Sequence, residues 1–308
     1  MGEKLRDFLR SLSRFDTGLY LRVLYRINNQ KKYKKKYPDD REFLEFLYKE
    51  RLGRELNLDR PERFTEKMQW LKLYYHNPLY KTCADKYLVR EYIESKGYGE
   101  LLNELYCMVT DVDELDIDSL PDKFVLKAAH SSGMNFVCTD KNSVNWKSKK
   151  KIFKLWMKHD LYLDGREWAY KDLEPSIIAE KYLEDDSGSL RDYKFVCEKG
   201  RVIMIFADVD RYSEHKRACY DADWKKIDIV TDCGQADVNR PDNLDEMEKI
   251  AEDLSRDFPF VRVDLYNCNG KIYFGELTFY PWGGIVQYTP DSFDFDFGAM
   301  IELPEKII

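Results

Sequence analysis

Phe260-Val261-Arg262-Val263-Asp264-Leu265-Tyr266, then Asn267-Cys268-Asn269-Gly270, then Lys271-Ile272-Tyr273-Phe274-Gly275-Glu276-Leu277-Thr278 is the stretch on which the reading of this chain turns. Both flanks are rich in β-branched and aromatic residues, and Asn-Cys-Asn-Gly favours a tight turn, so the segment predicts a β-hairpin. Side chains alternate along a strand, so Arg262 and Asp264 share one face of the first strand, and Glu276 and Thr278 share one face of the second. If the hairpin pairs those faces, a cation, two carboxylates and a hydroxyl converge. Such a set suits Mg²⁺ carrying a polyphosphate: the metal prefers hard oxygen ligands, and a guanidinium fork matches phosphate oxygens. An amphipathic hairpin with a surface ion pair has the same spacing, and the hairpin alone does not choose between the two.

Composition narrows the field. The chain has 308 residues, enough for two or three domains around a sizeable core. It is 44% hydrophobic and 35% charged, the balance of a globular protein. A net charge of −7 does not favour nucleic acid as a partner. The seven cysteines (Cys83, Cys107, Cys138, Cys197, Cys219, Cys233 and Cys268) include no Cys-x-x-Cys pair, and with four histidines there is no zinc spacing, so reduced thiols are expected. No apolar run approaches the roughly 20 residues that span a bilayer, and no signal-peptide core opens the chain. A cytoplasmic protein is the expectation.

Before the hairpin, the texture changes twice. Residues 1–37 alternate apolar residues with arginines and end in Lys31-Lys32-Tyr33-Lys34-Lys35-Lys36. That pattern fits an ordinary docked helix with a solvated charge run, or an interfacial helix touching the anionic inner face of a membrane. Residues 40–110 read as helices, one of them from about Tyr80 to Ser95, with Thr65 as an N-cap or first-turn residue ahead of Met68, Trp70 and Leu71. From residue 111 strands take over. Lys123 to Ala129 is a short apolar strand with an interior lysine, Lys127, and it runs into His130-Ser131-Ser132-Gly133-Met134-Asn135. A small polar loop leaves backbone N–H groups free for phosphate oxygens, and a lysine inside a strand is costly unless an anion meets it. A helix over 146–158, a buried strand ending Ile177-Ile178-Ala179-Glu180-Lys181-Tyr182-Leu183, strands at 192–196 and 202–207, and an amphipathic helix over 243–254 follow. Trp282 and the aromatics from Phe293 to Phe297 are read as core packing ahead of sugar stacking.

The order of these pieces is specific. Asp85-Lys86-Tyr87-x-Val89-Arg90-Glu91-Tyr92 comes first, then Lys127 with Ser131-Ser132-Gly133, then Glu180-Lys181-Tyr182-Leu183 and Asp192-Tyr193-Lys194-Phe195. Last comes Arg262-x-Asp264, with Glu276-Leu277-Thr278-Phe279-Tyr280-Pro281 twelve residues after Asp264. This series resembles the ATP-grasp superfamily over roughly residues 60–305, and within it the TupA-like branch, often encoded among capsule and envelope polysaccharide genes. The resemblance implies an α+β ATP-grasp fold, two α+β subdomains clamping ATP beside a helical N-terminal region. The implied divisions are a helical region over 1–110, a lid subdomain over 111–185 and a C-terminal subdomain over 186–308.

The resemblance also implies roles for residues. Lys86 and Lys127 hold ATP phosphates, and the loop bearing Ser131, Ser132 and Gly133 closes over them. Glu180 accepts the adenine amino group, and the backbone of Lys181, Tyr182 and Leu183 reads the ring edge. Asp192 faces the ribose. Asp264, Glu276 and Thr278 are the Mg²⁺ ligands, Thr278 standing where the family usually has Asn and offering a hydroxyl rather than a carbonyl. Arg262 stabilises the transferring phosphoryl group. Arg211, Lys216 and Arg217 compete for a further contact with the triphosphate. The implied activity is an ATP- and Mg²⁺-dependent carboxylate–amine ligase working through an acyl phosphate, with a glycan or small-molecule carboxylate and an amine or amino acid as partners. A kinase on a sugar precursor is the nearest alternative, and a glycosyltransferase using Asp208-Val209-Asp210 another.

Overall fold

The computed structural model describes residues 16–186, 190–209, 216–231 and 233–308. The helices in chain order are α1 (Asp16–Lys36), α2 (Asp40–Leu52), α3 (Phe64–Tyr74), α4 (Leu79–Ala84), α5 (Val89–Ser95), α6 (Trp146–Trp156), α7 (Tyr162–Gly165), α8 (Leu244–Ser255) and α9 (Phe293–Ala299). The strands are β1 (Leu105–Val109), β2 (Phe124–Ala128), β3 (Asn135–Cys138), β4 (Ile177–Lys181), β5 (Arg191–Glu198), β6 (Arg201–Val209), β7 (Lys216–Tyr220), β8 (Gly234–Gln235), β9 (Phe260–Cys268) and β10 (Lys271–Thr278). They group into two compact units.

The first unit takes the chain up to Phe43, Asp85–Tyr87 and Glu104–Tyr182. Its antiparallel sheet has the order β1-β4-β2-β3. Phe124, Leu126 and Ala128 alternate inward on β2 and meet Ile177 and Ala179 of β4. Helix α6 covers that face with Ile152, Phe153, Leu155 and Trp156, and α1 adds Val23 and Ile27 to the same core. Asn145 caps α6 by accepting from the Ser148 N–H at 3.1 Å. His130 is buried between backbone groups: its Nδ1 accepts from the Ser176 N–H (3.2 Å), so its Nε2–H donates to the Trp156 carbonyl (3.1 Å). That arrangement needs the neutral ring.

The second unit, Leu44–Ala84, Leu88–Asn103 and Leu183–Ile308, is built on a six-stranded sheet of order β10-β9-β5-β6-β7-β8. Its neighbours are antiparallel except β7 and β8. Helix α8 carries Leu244, Met247, Ile250, Ala251 and Leu254 on one stripe and lays it over β5, β6 and β9. Phe195, Ile205, Val263 and Leu265 are fully buried beneath. Stacked rings tie the helices to each other and to the sheet: Phe64 of α3 on Phe297 of α9 at 4.1 Å, and Tyr80 of α4 on Phe279, just after β10, at 3.8 Å. Phe293 and Phe297 are therefore core residues. Thr65 lies in the first turn of α3, where its N–H and hydroxyl both donate to buried Asp294.

Three sequence expectations are corrected. Leu105–Val109 is a strand within the stretch read as helical, because pairing with β4 overrides local preference. The helix expected over Tyr80–Ser95 is two helices, broken where the Asp85 carboxylate accepts from the Tyr87 N–H and the Lys86 N–H goes to the Ala129 carbonyl. Lys216–Tyr220 forms β7 where no strand was expected.

Burial pushes the His130 pKa below its ordinary 6.5, against the smaller opposing effects of its backbone partners and Asp85, while His159 adds to the depression. The folded chain thus binds fewer protons at this site than the unfolded chain. The stability it contributes is complete above pH 6.5 and is lost as pH falls from there through the depressed value, at up to about 1.4 kcal/mol per pH unit. Urea unfolding between pH 7.5 and 5 should show that loss in the wild type and a flatter profile in His130→Asn; equal slopes would contradict it.

Candidate active site

Hairpin β9–β10 turns on two residues, Asn269 (φ 51°) and Gly270 (φ 83°), the positive pair a tight primed turn demands. The ladder near the turn pairs Lys271 with Cys268 and Phe274 with Leu265. Continued unbroken, it would set Glu276 opposite Val263, with its carboxylate on the face away from Asp264. A β-bulge at Gly275 prevents this: beyond it Glu276 pairs with Asp264 and Thr278 with Arg262. The extra residue flips the side-chain alternation and brings all four functional groups to one face. Gly275 is required because a Cβ there would sit 2.9 Å from the Asp264 carbonyl oxygen.

The same register extends across the sheet. Asp264 pairs with Lys194, Asp192 with Asp208, and Asp208 with Arg217, so seven charged residues from five strands share one face. Arg262 closes on Asp264 with two hydrogen bonds of 2.6 Å, and its Nη2 also reaches Thr278 Oγ1 (3.0 Å) and Glu276 Oε1 (3.3 Å). The Thr278 hydroxyl donates onward to Glu276 at 3.1 Å. Lys194 joins Asp264 (2.9 Å) and Asp192 (2.5 Å), and Arg217 forks onto Asp208 (2.6 and 3.1 Å). Trp282 lies beside Phe206 edge-to-face, with its ring centroid 5.1 Å from the Arg217 guanidinium and 5.9 Å from that of Arg262. It takes a left-handed backbone conformation (φ 53°) in a loop whose Gly283 and Gly284 carbonyls accept from Gln69 and Lys72 of α3.

Burial disfavours the Arg262 cation, but Asp264, with Glu276 and Asp192, more than offsets it and raises its pKa. Burial, helped by Asp192, raises that of Asp264 against the pull of Arg262 and Lys194. The two side chains form a tightly coupled ion pair. Among the described residues, no three His, Cys, Asp or Glu side chains gather as a metal cage. The donors at the hairpin fit Mg²⁺ all the same, since that ion is commonly held by one or two carboxylates with substrate phosphates and water completing the shell.

The first unit carries the other expected residues. Lys127 and Glu180 lie on the sheet face opposite its core and form a 2.6 Å ion pair. A lysine has three donors, so this pair uses one of them. Lys86 Nζ donates to the Ser131 carbonyl. Ser131 is fully buried and its hydroxyl meets His159 Nδ1 (3.3 Å), while Ser132 and Gly133 are exposed. His159 Nε2 in turn meets Asp164 (3.0 Å), which Arg26 and Gln30 of α1 also hold. Burial alone would raise the Asp164 pKa, but His159 and Arg26 outweigh it and lower it. The Lys181 N–H goes to the Glu104 carbonyl, and Tyr182 is half-buried.

In the second unit Leu183 is half-buried and Asp192 is buried on Lys194. Arg262, Asp264, Glu276 and Thr278 are brought together as described. Lys216 is exposed and alternates away from the charged face that Arg217 occupies. Arg211 lies outside the described residues, as does Asp210 of the Asp-x-Asp pattern. Sequence reasoning passed over Lys194 and weighed Asp208 only as half of an Asp-x-Asp pattern. The signal for Lys194 was available: a lysine two residues from an aspartate inside a strand, the argument already applied to Lys127.

The TupA-like ATP-grasp family model matches residues 66–302. The chain belongs to the TupA-like ATP-grasp family. The residues that carried the resemblance fall within the matched span, and the mixed helix and sheet architecture is that of an ATP-grasp protein. No curated protein matches the chain. Among solved structures, D-alanine–D-alanine ligase from Bacillus anthracis is 15% identical over 69% of this chain and 58% of its own, with a TM-score of 0.40. The Helicobacter pylori D-alanine–D-alanine ligase is 14% identical over 71% and 59%, also at 0.40. N5-carboxyaminoimidazole synthase from Aspergillus clavatus, solved with ADP and 5-aminoimidazole ribonucleotide, is 15% identical over 66% and 46%, again at 0.40. The chain thus spans less than two thirds of each of these proteins, and likenesses at this level add nothing to the family match.

Gly275→Ala should destabilise the hairpin by about 1–3 kcal/mol, the usual cost of overpacking. It should also weaken adenine-nucleotide binding, because relaxing the bulge turns Glu276 away. Calorimetric titration with ADP and Mg²⁺ beside a urea melt checks both; unchanged affinity would show that the bulge does not set the site.

Proposed function

We propose that this protein is an ADP-forming carboxylate–amine ligase of cell-envelope polysaccharide biosynthesis. Its proposed partners are a glycan or small-molecule carboxylate and an amine or amino acid. The observation that carries the reading is the register at the Gly275 bulge, which sets Arg262, Asp264, Glu276 and Thr278 on one sheet face within a TupA-like family match.

The chemistry asks for charge control more than for a nucleophile. A carboxylate is a poor electrophile, so its oxygen must first take the γ-phosphoryl group of ATP to become an acyl phosphate. The amine then attacks the carbonyl, phosphate leaves, and an amide remains beside ADP. Most of the protein's work in such a transfer is positioning and neutralisation. Asp264 and Glu276, with the Thr278 hydroxyl, would hold Mg²⁺, which when bound neutralises phosphate charge. In this reading Arg262 moves its fork from Asp264 to the transferring group and the developing oxyanion. Arg217 serves the triphosphate in preference to Lys216, since it lies on the same face. Lys86 and Lys127 bind phosphates, and the loop from Ser131 to Asn135 covers them, its hydroxyl anchor on His159 keeping Ser132 and Gly133 presented outward. Glu180 takes the adenine amino group, with the backbone of Lys181 to Leu183 along the ring. Residues 111–185 work as the lid subdomain and 186–308 as the C-terminal one. Trp282 limits water over the charged face, which protects an acyl phosphate from hydrolysis.

The glycosyltransferase reading loses support because the family that matches residues 66–302 is an ATP-grasp one. The proposed setting is the cytoplasm, at the inner face of the membrane. Lys31, Lys32, Lys34, Lys35 and Lys36 at the end of α1 are exposed and suit an anionic leaflet. Among the described residues no helix is long and apolar enough to cross a membrane.

Glu276→Gln and Lys127→Ala should keep the wild-type melting temperature and lose ADP release by about a hundredfold or more, the scale of removing one preorganised charged group. A coupled ADP-release assay with uronic acids and amino acids as candidate substrates checks this. Near-normal release by either variant would overturn the site assignment.

A further inference from the structure

From Trp146 to Lys158 the chain is rich in lysine and holds no acid. Helix α6 turns Ile152, Phe153, Leu155 and Trp156 toward the core of the first unit. Lys147, Lys151, Lys154 and Lys158 follow one another at helical spacing and form an exposed stripe on its other side. Helix α1 lies beside α6 and runs the same way. Asp16 at its start pairs with Lys149 (2.6 Å), and Gln30 near its end donates to the Asp160 carbonyl just past α6 (2.8 Å). It ends in a second set of exposed lysines, Lys31, Lys32, Lys34 and Lys35. Leu21, 42% exposed, shares the outer stripe of Lys32 and Lys35.

The acids that reach this helical layer are already engaged. Asp113 pairs with Lys154 (2.7 Å) and Asp164 with Arg26 (2.5 Å). Asp160 accepts from the N–H groups of Tyr162 and Leu163 and feels the charge of Lys34. Lys31, Lys32, Lys35, Lys147, Lys151 and Lys158 make no ion pair among the described residues. We infer that the α1–α6 layer is a docking surface for a membrane face of acidic phospholipid headgroups. The inference rests on the inner-face setting proposed above and adds to it the second helix. A cluster of roughly four to eight basic residues is the pattern that acidic lipid recognises. All six are lysine, a flexible point charge that adapts to mobile headgroups, whereas the rigid fork of arginine suits one fixed partner. Leu21 supplies an apolar contact beside them. The chain as a whole carries −7, so the layer runs against the overall charge. The ties from Asp16 to Lys149 and from Gln30 to Asp160 hold the two helices together as one surface. Both helices cover the core face of the four-stranded sheet, while Lys127 and Glu180 stand on the opposite face, so a membrane on the helical layer leaves that face uncovered by lipid.

The test is sedimentation of the full chain with vesicles of phosphatidylcholine alone and of phosphatidylcholine mixed with phosphatidylglycerol. The intact protein should pellet only with the acidic vesicles and come off as salt rises. Lys147→Gln, Lys151→Gln and Lys158→Gln together should weaken that binding by about tenfold or more at an unchanged melting temperature. Lys31→Gln, Lys32→Gln and Lys35→Gln together should do the same. Pelleting lost with the α1 set and kept with the α6 set would leave the inner-face setting standing and overturn the two-helix surface. Equal pelleting with both kinds of vesicle would overturn the headgroup assignment. No pelleting of the intact chain would bring down the inner-face setting and this inference with it, and retention on a soluble acidic polysaccharide in its place would give the lysine rows to a glycan.

Discussion

A single carboxylate, that of Asp264, accepts from Arg262 on its own strand and from Lys194 on the next, and the rest of the second unit is arranged to make that possible. Both cations are at least nine-tenths buried, and so is the acid. Taking such charges out of water costs several kcal/mol per ion before their mutual attraction repays it. The compensation has to be geometric, and a sheet provides it. Register sets Lys194 opposite Asp264 and Arg217 opposite Asp208, and it also sets Glu276 opposite Asp264 and Asp192 opposite Asp208, acid pairs that Arg262 and Lys194 bridge without the side-chain entropy cost of a loop. Helix α8 covers the opposite face with aliphatic side chains and keeps the sheet from turning its charges inward.

Two local devices serve the row. The Gly275 bulge corrects the alternation of β10, without which Glu276 would point away from Asp264. The Pro281–Gly284 turn puts the Trp282 ring against two guanidinium groups, where an aromatic face stabilises cations and displaces water. Neither device is needed for an ordinary hairpin. A buried ion-pair row is weak evidence of stability, because well-packed apolar residues often do as well. It is stronger evidence of a site that must stay charged while its partners change. In the proposed function Arg262 would release Asp264 to a metal and turn to a phosphate, and Lys194 would still hold Asp264.

Much of this was legible in the sequence. The β-branched flanks, the Asn-Gly turn and the two-residue spacing of Arg262 with Asp264 and Glu276 with Thr278 define the hairpin and its functional faces. The 3.6-residue stripe of α8 and the alternation of β2 follow the same simple periodicities. The bulge was not legible: a single glycine in a strand marks many possible irregularities, and only the close approach of the Asp264 carbonyl says which. β1 was missed because Leu105 to Val109 draws its strand character from β4, about seventy residues away. The break between α4 and α5 depends on an Asx turn at Asp85 and a backbone bond to Ala129. Lys194 was missed, and Asp208 and Arg217 were named without being joined to it, because the grouping lies in strand neighbours that no local window contains.

The central claim is that this charged face is a magnesium–adenine-nucleotide site. The most direct test is a thermal-shift comparison of ADP with Mg²⁺ against uridine-diphosphate sugars with Mn²⁺. A ligand at a hundred times its dissociation constant adds about 2.7 kcal/mol to the folded state, enough to move the melting temperature by several degrees. The account predicts that shift with the adenine nucleotide and its loss in Glu276→Gln. A shift with the uridine sugars alone, or one with ADP that Glu276→Gln leaves intact, would contradict it.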